Sequence, residues 1–352
     1  MKRILIVKVT ALGDIIQAQP VVADLHRAFP GVEVDWAADE LFADVARWNP
    51  GISRVLSAPL KKFKKARSLA DLRAIGASIS DLRRERYDAV CDLHGVYKSA
   101  IISFIARSKT RFGYQNADLG ELGAAFAYSK RFARRPRAGT SQGMRITLSE
   151  ALGYSIGDTP QQYGLRIPGA ETLVRADTRP LAMLFHATSK DDKKWAHDHW
   201  VAMARHLILN GFNVLLPWGS ANEQAEANAI AAAAPGAEVL PRLSVLEVAR
   251  YISHASLVIG TDTGFTHLSH ALERPTVLVL SATTRDSIGI DAPGRGVTVG
   301  DAGHPPSLRE VLDAVESVST LSGRAELMQH VQSPHGFGDE RIGLVPSITR
   351  EH

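Results

Sequence analysis

Three short stretches carry residue types that can move a proton or hold a phosphate. In "KVTALGDIIQAQP" (8–20) the hydrophobic run Ile4–Val9, interrupted by Lys8, stops at Thr10 and is followed by Gly13, Asp14 and a new apolar pair. A carboxylate after a first strand can act as general base on a hydroxyl, or can cap the helix that follows. The stretch is neither the dinucleotide fingerprint G-x-G-x-x-G nor the phosphate loop G-x-x-x-x-G-K-[ST]. In "HATSKDDKKW" (186–195) Thr188 and Ser189 precede a dense polar run that includes Lys193. Hydroxyls, lysines and a helix start suit a phosphate or pyrophosphate, against the plainer alternative of a charged surface loop. In "GTDTGFTHLSHA" (260–271) Asp262 can accept hydrogen bonds from sugar hydroxyls, while Gly264 leaves room at Thr263–Gly264 for a ligand to approach free backbone N–H groups. The alternative is an N-cap at Asp262 or Thr263.

Three further signals are weaker. His267 and His270 at i, i+3 would suggest a metal with Asp262, but no H-E-x-x-H or cysteine pair supports them, so a structural or phosphate-facing role is expected. Glu223 in "LPWGSANEQAE" (215–225) could hold ribose hydroxyls or serve as a first-turn carboxylate. "GYSIG" (153–157) matches G-x-S-x-G but lacks the strand-turn-helix context that motif needs, and is set aside.

The elements that position these residues alternate. Strands are predicted at 3–9, 32–38 and 88–94, with helices at 20–29, 69–87, 99–108 and 143–152. The Gly- and Pro-rich stretch 153–180 interrupts the pattern, which restarts with strands at 181–187, 212–218, 237–241, 256–262 and 276–282. Helices are predicted between them, one with its N-cap at Ser244, and a last one at 307–318. Strands alternating with helices imply parallel sheets with crossover helices, whose ligands lie outside the carboxyl ends of the strands. The expectation is therefore an α/β chain of two Rossmann-like domains facing a central cleft. Residues 1–160 form the first domain, 161–180 the connection, 181–320 the second domain, and 321–352 a poorly ordered tail.

A chain of 352 residues suits two domains of ordinary size. The single cysteine, Cys91, excludes an internal disulfide framework and fits a reducing compartment. No apolar window is long enough to span a bilayer, and the start lacks a signal-peptide cleavage site. Charge is uneven: residues 1–150 hold 25 Lys/Arg against 15 Asp/Glu, and the remainder 16 against 22. The runs "KKFKKAR" (61–67) and "KRFARRPR" (130–137) make the first half suited to an anionic partner such as nucleic acid, a phosphorylated glycolipid or an anionic membrane, unless they are simply solvated faces.

Taken together, "ILIVKVTALGDIIQAQPVVADL", "YDAVCDLHGVYKSA", "HATSKDDKKW", "LPWGSANE", "VLPRLSVLEVARYI" and "GTDTGFTHLSHAL" make the chain resemble the bacterial lipopolysaccharide heptosyltransferases, closest to their type I branch. The match extends over most of residues 1–290 and rests on order and spacing, with DDK-x-W and DTG-x-x-H its most specific parts. The resemblance implies an inverting glycosyltransferase of the GT-B type without a bound metal or other cofactor. The donor would be ADP-L-glycero-β-D-manno-heptose, and the acceptor Kdo2-lipid A at the cytoplasmic face of the inner membrane; nucleic acid is not implied. Asp14 then matches the general base. Lys193 matches the lysine on the donor phosphates and aids catalysis there, with Thr188 and Ser189 beside it. Glu223 matches the ribose contact and Leu243 the residue that packs on adenine. Asp262 matches the contact to heptose hydroxyls, and Thr263, Gly264 and His267 the diphosphate turn. Lys61, Lys62, Lys64 and Lys65 fall near the basic acceptor loop.

The chain departs from the family pattern at "GTSQGMR" (139–145), which lacks a leading histidine, and at "LSATTRD" (280–286), where the family has "YGPTDP". Both departures bear on the acceptor and the sugar. Two other kinds of function are compatible with such an architecture. One is a non-hydrolysing nucleotide-sugar epimerase, and the other a two-domain solute-binding protein, against which the missing export signal speaks.

Overall fold

A computed structural model of the chain describes residues 1–60, 62, 65–134, 139–172, 178–188 and 190–318. The expected disorder of the tail concerns residues outside that set. Two six-stranded sheets form, and every strand pair in them is parallel. The first has the order β3-β2-β1-β4-β5-β6, with β1 at Arg3–Val7, β2 at Glu33–Asp39, β3 at Arg54–Ala58, β4 at Ala89–Asp92, β5 at Arg111–Tyr114 and β6 at Lys130–Phe132. The second repeats that order as β12-β11-β10-β7-β8-β9, with β7 at Leu181–Phe185, β8 at Asn213–Leu216, β9 at Ala237–Val239, β10 at Leu257–Thr261, β11 at Thr276–Val279 and β12 at Gly296–Val299. The central strands are apolar nearly throughout because helices cover both of their faces. In each sheet the order reverses between the first and fourth strand, so β1/β4 and β7/β10 flank the two crevices where ligands of such sheets bind.

The helices follow from simple local chemistry. Ser244 caps Val245–Ser253 as expected, accepting a bond from the Glu247 N–H, while the Glu247 carboxylate accepts the Ser244 N–H at 2.7 Å. Ser220 and Glu223 do the same for Ala221–Ala233. The first helix departs from expectation. Leu12–Ala18 is helical ahead of the helix predicted at 20–29, and Pro20 then opens a second helix, Pro20–Ala28. Four strands were not predicted: β3, β5, β6 and β12. Three of these lie at a sheet edge.

Within the stretch that follows helix Thr140–Leu152, residues 163–168 are tied to elements of both sheets' halves. Asn49 donates to the Tyr163 carbonyl at 3.1 Å and the Arg166 N–H to the Trp48 carbonyl at 2.7 Å. Arg250 donates to the Pro168 carbonyl at 2.8 Å. One hydrophobic cluster runs from Ile4 and Ile16 through Tyr163 to Met183 and Leu268. Beneath it, Arg145 and Asp24 form a fully buried two-pronged pair, at 2.7 and 2.9 Å. Among the described residues no helix is long and apolar enough to cross a membrane.

Candidate functional site

The first crevice opens at the end of β1. Asp14 is the third residue of helix Leu12–Ala18, and its two oxygens do different work. Oδ2 accepts the Ala11 N–H at 3.1 Å, so the capping alternative is real. Oδ1 faces the Lys8 ammonium at 3.1 Å, and Lys8 also donates to the Leu93 carbonyl at 3.1 Å. Lys8 is buried within the strand run, so its charge requires this partner. Burial alone would raise the Asp14 carboxyl; Lys8 and the Ala11 N–H outweigh it and hold the group below its ordinary range. Asp14 is thus ionised at neutral pH, and its side chain remains 43% exposed to the crevice.

Around it lies a cavity of about 690 Å³ lined by Lys8, Asp14, His94, Arg134, Thr284 and Asp286, among others. His94 sits on the turn after β4. That turn is fixed by the buried Asp92 carboxylate, which accepts the His94 and Gly95 N–H groups at 2.9 and 3.0 Å and the Tyr128 hydroxyl at 2.8 Å. Burial, then the cations of Lys8, Lys98 and Arg134, push the His94 imidazole down to about 4 against the pull of Asp14, so it is neutral. Its Nδ1 is buried without a hydrogen-bond partner among the described residues. Lys8, Arg134 and the neutral imidazole share the wall with Asp118 and Asp286, a polar setting that suits a molecule carrying a hydroxyl for Asp14 to deprotonate.

The second crevice opens between β7 and β10. Lys193 donates to Asp262 Oδ2 at 2.6 Å, Thr283 donates to the same oxygen at 2.9 Å, and His267 Nε2 lies 3.4 Å from Oδ1. Burial would raise the Asp262 carboxyl, yet the bonds from His267 and Lys193 hold it far below the usual range. Asp262 therefore does not cap helix Gly264–Ala271, and neither does the Thr263 side chain; among the described residues no side-chain cap bond is made to the start of that helix. Its first N–H groups are positioned to receive an anion. Thr188 Oγ1, His186 Nδ1 and Ser281 Oγ are buried without partners among the described residues, at the carboxyl ends of β7 and β11. Such orphaned atoms are what a bound ligand would satisfy.

Two expectations need adjustment. The space at Gly264 is taken by protein: a Cβ there would lie 2.7 Å from Leu12 Cγ and 2.9 Å from the Gly13 nitrogen. Glycine at 264 and at 13 thus lets the starts of helices Leu12–Ala18 and Gly264–Ala271 touch, which brings the two crevices onto one cleft. Glu223 Oε2 accepts the Gly219 and Ser220 N–H groups at 2.7 and 3.3 Å, so this carboxylate is a helix cap. Leu243 is half-buried against the core beside Leu240. His270, packed edge-on to Tyr163 at 5.6 Å, is pushed down to about 4, by burial first and then by the charges of His267 and Arg295. No cluster of three or more His, Cys, Asp or Glu suited to a metal ion occurs among the described residues.

The structure brings Thr188, Lys193, Glu223, Leu243, Asp262, Thr263, Gly264 and His267 to the carboxyl edge of the second sheet. Lys62 and Lys65 do not line the Asp14 cavity; Lys62 pairs with Glu40 at 3.0 Å. Lys61, Lys64 and Ser189 lie outside the described residues. Lys8 and His94 were not predicted from sequence as site residues, whereas Arg134 belongs to the basic run 130–137 and the 283–287 turn overlaps the departure at 280–286. That turn reaches both sides: Thr283 holds Asp262, while Thr140 donates to the Ser287 carbonyl at 2.7 Å and the Gly139 N–H to the Asp286 carbonyl at 3.0 Å. A lysine inside an apolar strand was the available signal for Lys8.

A model of glycosyltransferase family 9 (heptosyltransferase) matches residues 75–309. Lipopolysaccharide heptosyltransferase 1 of Escherichia coli (strain K12) is 31% identical over 288 residues, which cover 82% of this chain and 90% of that protein. The Pseudomonas aeruginosa protein of the same name is 32% identical over 291 residues, 80% of this chain and 79% of its own. Among solved structures, the E. coli heptosyltransferase WaaC with ADP superposes with a TM-score of 0.76 at 27% identity, covering 94% of this chain and all of that one (100%). The same enzyme with ADP-2-deoxy-2-fluoro heptose gives 0.72 at 26% identity, covering 93% and 99%.

Proposed function

The chain belongs to glycosyltransferase family 9, the heptosyltransferases, and from that premise we propose that it transfers L-glycero-D-manno-heptose from ADP-heptose to the Kdo of Kdo2-lipid A. The observation that carries the reading is the cleft itself. An ionised carboxylate held by a buried lysine stands on one side, and an uncapped helix N-terminus with an adjacent lysine on the other, joined where Gly13 meets Gly264.

In this mechanism Asp14 takes the proton of the Kdo 5-hydroxyl and the freed oxygen attacks heptose C1. The bond from C1 to the diphosphate breaks with inversion, and ADP leaves. Lys193, the N–H groups at Thr263–Gly264 and His267 meet the charge on the departing diphosphate. Thr188 and Ser189 would bind its phosphates, Leu243 would pack on adenine, Glu223 would reach the ribose with the oxygen its cap leaves over, and Asp262 would take the heptose hydroxyls. Lys193 is paired with Asp262 in the ligand-free chain, so donor binding exchanges one anion for another at the lysine. Residues 1–160 would bind the acceptor and 181–320 the donor. The protein would work at the cytoplasmic face of the inner membrane, attracted by its basic half at roughly 1 kcal/mol per nearby Lys or Arg. Lys61, Lys62, Lys64 and Lys65 would serve the acceptor phosphates.

The test is turnover of purified protein with ADP-heptose and Kdo2-lipid A, followed by ADP release and product mass. Wild type should transfer one heptose and Asp14→Ala none, with ADP binding intact. A melting temperature raised by UDP and not by ADP would overturn the reading. A second acceptor is favoured by one observation: both departures from the family pattern, 139–145 and 280–286, contribute cavity-lining residues, namely Gly139, Thr140, Gly143, Thr284 and Asp286. Transfer only to an already heptosylated core would assign the chain to that acceptor instead.

A further inference from the structure

A second cavity lies directly behind the acceptor side of the cleft. It measures about 370 Å³, and its walls are aliphatic: Leu56 and Leu60 at the end of β3, Ile79 and Leu82 on helix Leu69–Leu82, and Ile101 and Ile105 on helix Tyr97–Ile105. One thin partition separates it from the Asp14 cavity. Val96 and Gly120 line the Asp14 side, and their chain neighbours Tyr97, Lys98 and Glu121 line the apolar side. The mouth is apolar as well. Of its lining side chains Tyr97 is 50% exposed and Ile101 42%, an arrangement that water disfavours in a monomer without a partner. Lys98 stands on the partition, exposed and without a hydrogen-bond or ion-pair partner among the described residues, close enough to His94 to depress its ionisation.

We propose that this groove seats an acyl chain of the acceptor itself. The inference rests on the proposed acceptor being an anionic glycolipid. Such a molecule has a sugar acid to present to Asp14, phosphates for a cation at the boundary, and hydrocarbon that must be buried. The three environments occur in that order: the polar Asp14 cavity, Lys98, and the aliphatic groove. A bilayer resting on the outer face would need only the exposed lip, whereas the groove provides an interior. Each methylene transferred into it is worth roughly fourfold in affinity.

Ile101→Trp fills the groove and stays apolar, while Ile101→Glu makes it polar. Both are titrated with dansyl-undecanoic acid as an acyl probe and assayed with acylated and fully deacylated acceptor. The expected result is that wild type binds the probe and both variants lose at least about tenfold in probe affinity, the loss of two methylenes. KM for the acylated acceptor rises by a similar factor, and KM for the deacylated acceptor does not change. Wild-type behaviour of Ile101→Trp with impairment of Ile101→Glu alone would place lipid on the outer face and overturn the proposal. So would equal KM changes for both acceptors. If Ile101 variants lose the wild-type melting transition, Ile79→Trp applies the same test from the opposite wall. If wild type transfers heptose to neither acceptor, the functional reading fails, and the groove stands or falls on the probe titration.

Discussion

Replacing Lys8 with methionine tests whether the buried lysine sets the ionisation of Asp14. At 3.1 Å the pair would attract by about 5 kcal/mol at an effective dielectric constant of about 20, and by about 1 kcal/mol in water. Asp14 is 43% exposed, so solvent screens the pair toward the lower figure. About 1.5–3 kcal/mol, or one to two pKa units, is the working range. Lys8→Met leaves burial, which raises the carboxyl, opposed mainly by the Ala11 N–H. Asp14 should then titrate one to two units higher. The assay is the initial rate of ADP release across about pH 4 to 8. Wild type keeps its activity into the acid range, and the acid limb of Lys8→Met should move up by that amount. Coincident acid limbs, with Asp14→Asn inactive, would refute the role given to Lys8. The stability sign agrees. A depressed carboxyl contributes stability that is present above its unfolded pKa and is lost as pH falls through its folded value. The wild-type advantage in unfolding free energy should therefore be full near neutrality and shrink below about pH 4.

The remaining predictions concern the other half of the cleft and the frame that holds it. Asp262→Asn releases Lys193 from its 2.6 Å partner, so ADP should bind more tightly by calorimetry while kcat/KM for ADP-heptose falls at least about tenfold; parallel weakening of both would contradict the exchange at the lysine. Gly264→Ala forces a Cβ into Leu12 and Gly13 and should cost about 1–3 kcal/mol in urea unfolding, with activity reduced because the two crevices are pushed apart; an unchanged midpoint counts against the close contact. Arg145→Met strands the buried Asp24 carboxylate and should cost about 3–5 kcal/mol, a loss that Asp24→Asn in the same chain should partly relieve. His94 and His270, both pushed down to about 4, should show no imidazole titration between about pH 5.5 and 8 by NMR; a midpoint near the ordinary value of about 6.5 would disprove their burial.

Both sheets were legible because their central strands are buried on two faces and read as continuous apolar runs, as in "RILIV" and "LAMLF". The strands that escaped notice are short and mostly at edges, where the chain needs less hydrophobicity. β6 is "KRF", three residues from a run that charge alone marks as a basic patch. β3, "RVLSA", starts on Arg54, whose guanidinium ties it to Asp35 and Asp81 through ion pairs that a linear pattern cannot display. The first helix was hidden for a different reason. Gly13 and Asp14 favour a turn locally, but Asp14 caps the helix it belongs to, and Gly13 is required by a neighbour about 250 residues further along.

The same distinction explains the site. Strand-end position was readable, and it located Asp14, Thr188, Lys193 and Asp262. Pairing was not, because it depends on which strands flank each crevice. Lys8 and Asp14 lie six residues apart, yet they meet only because β4 supplies the Leu93 carbonyl that fixes the ammonium between them. Lys193 and Asp262 lie 69 residues apart and meet because β7 and β10 are neighbours. Each half thus holds one lysine against one carboxylate at its switch point, and the ligand-free cleft is locally neutral on both sides. The two pairs answer a ligand differently. Lys8 is buried against Asp14, whereas Lys193 is partly exposed and Asp262 has His267 and Thr283 as further partners. In the proposed reaction the first pair would stay fixed where a proton is accepted, and the second would exchange where a diphosphate arrives and leaves.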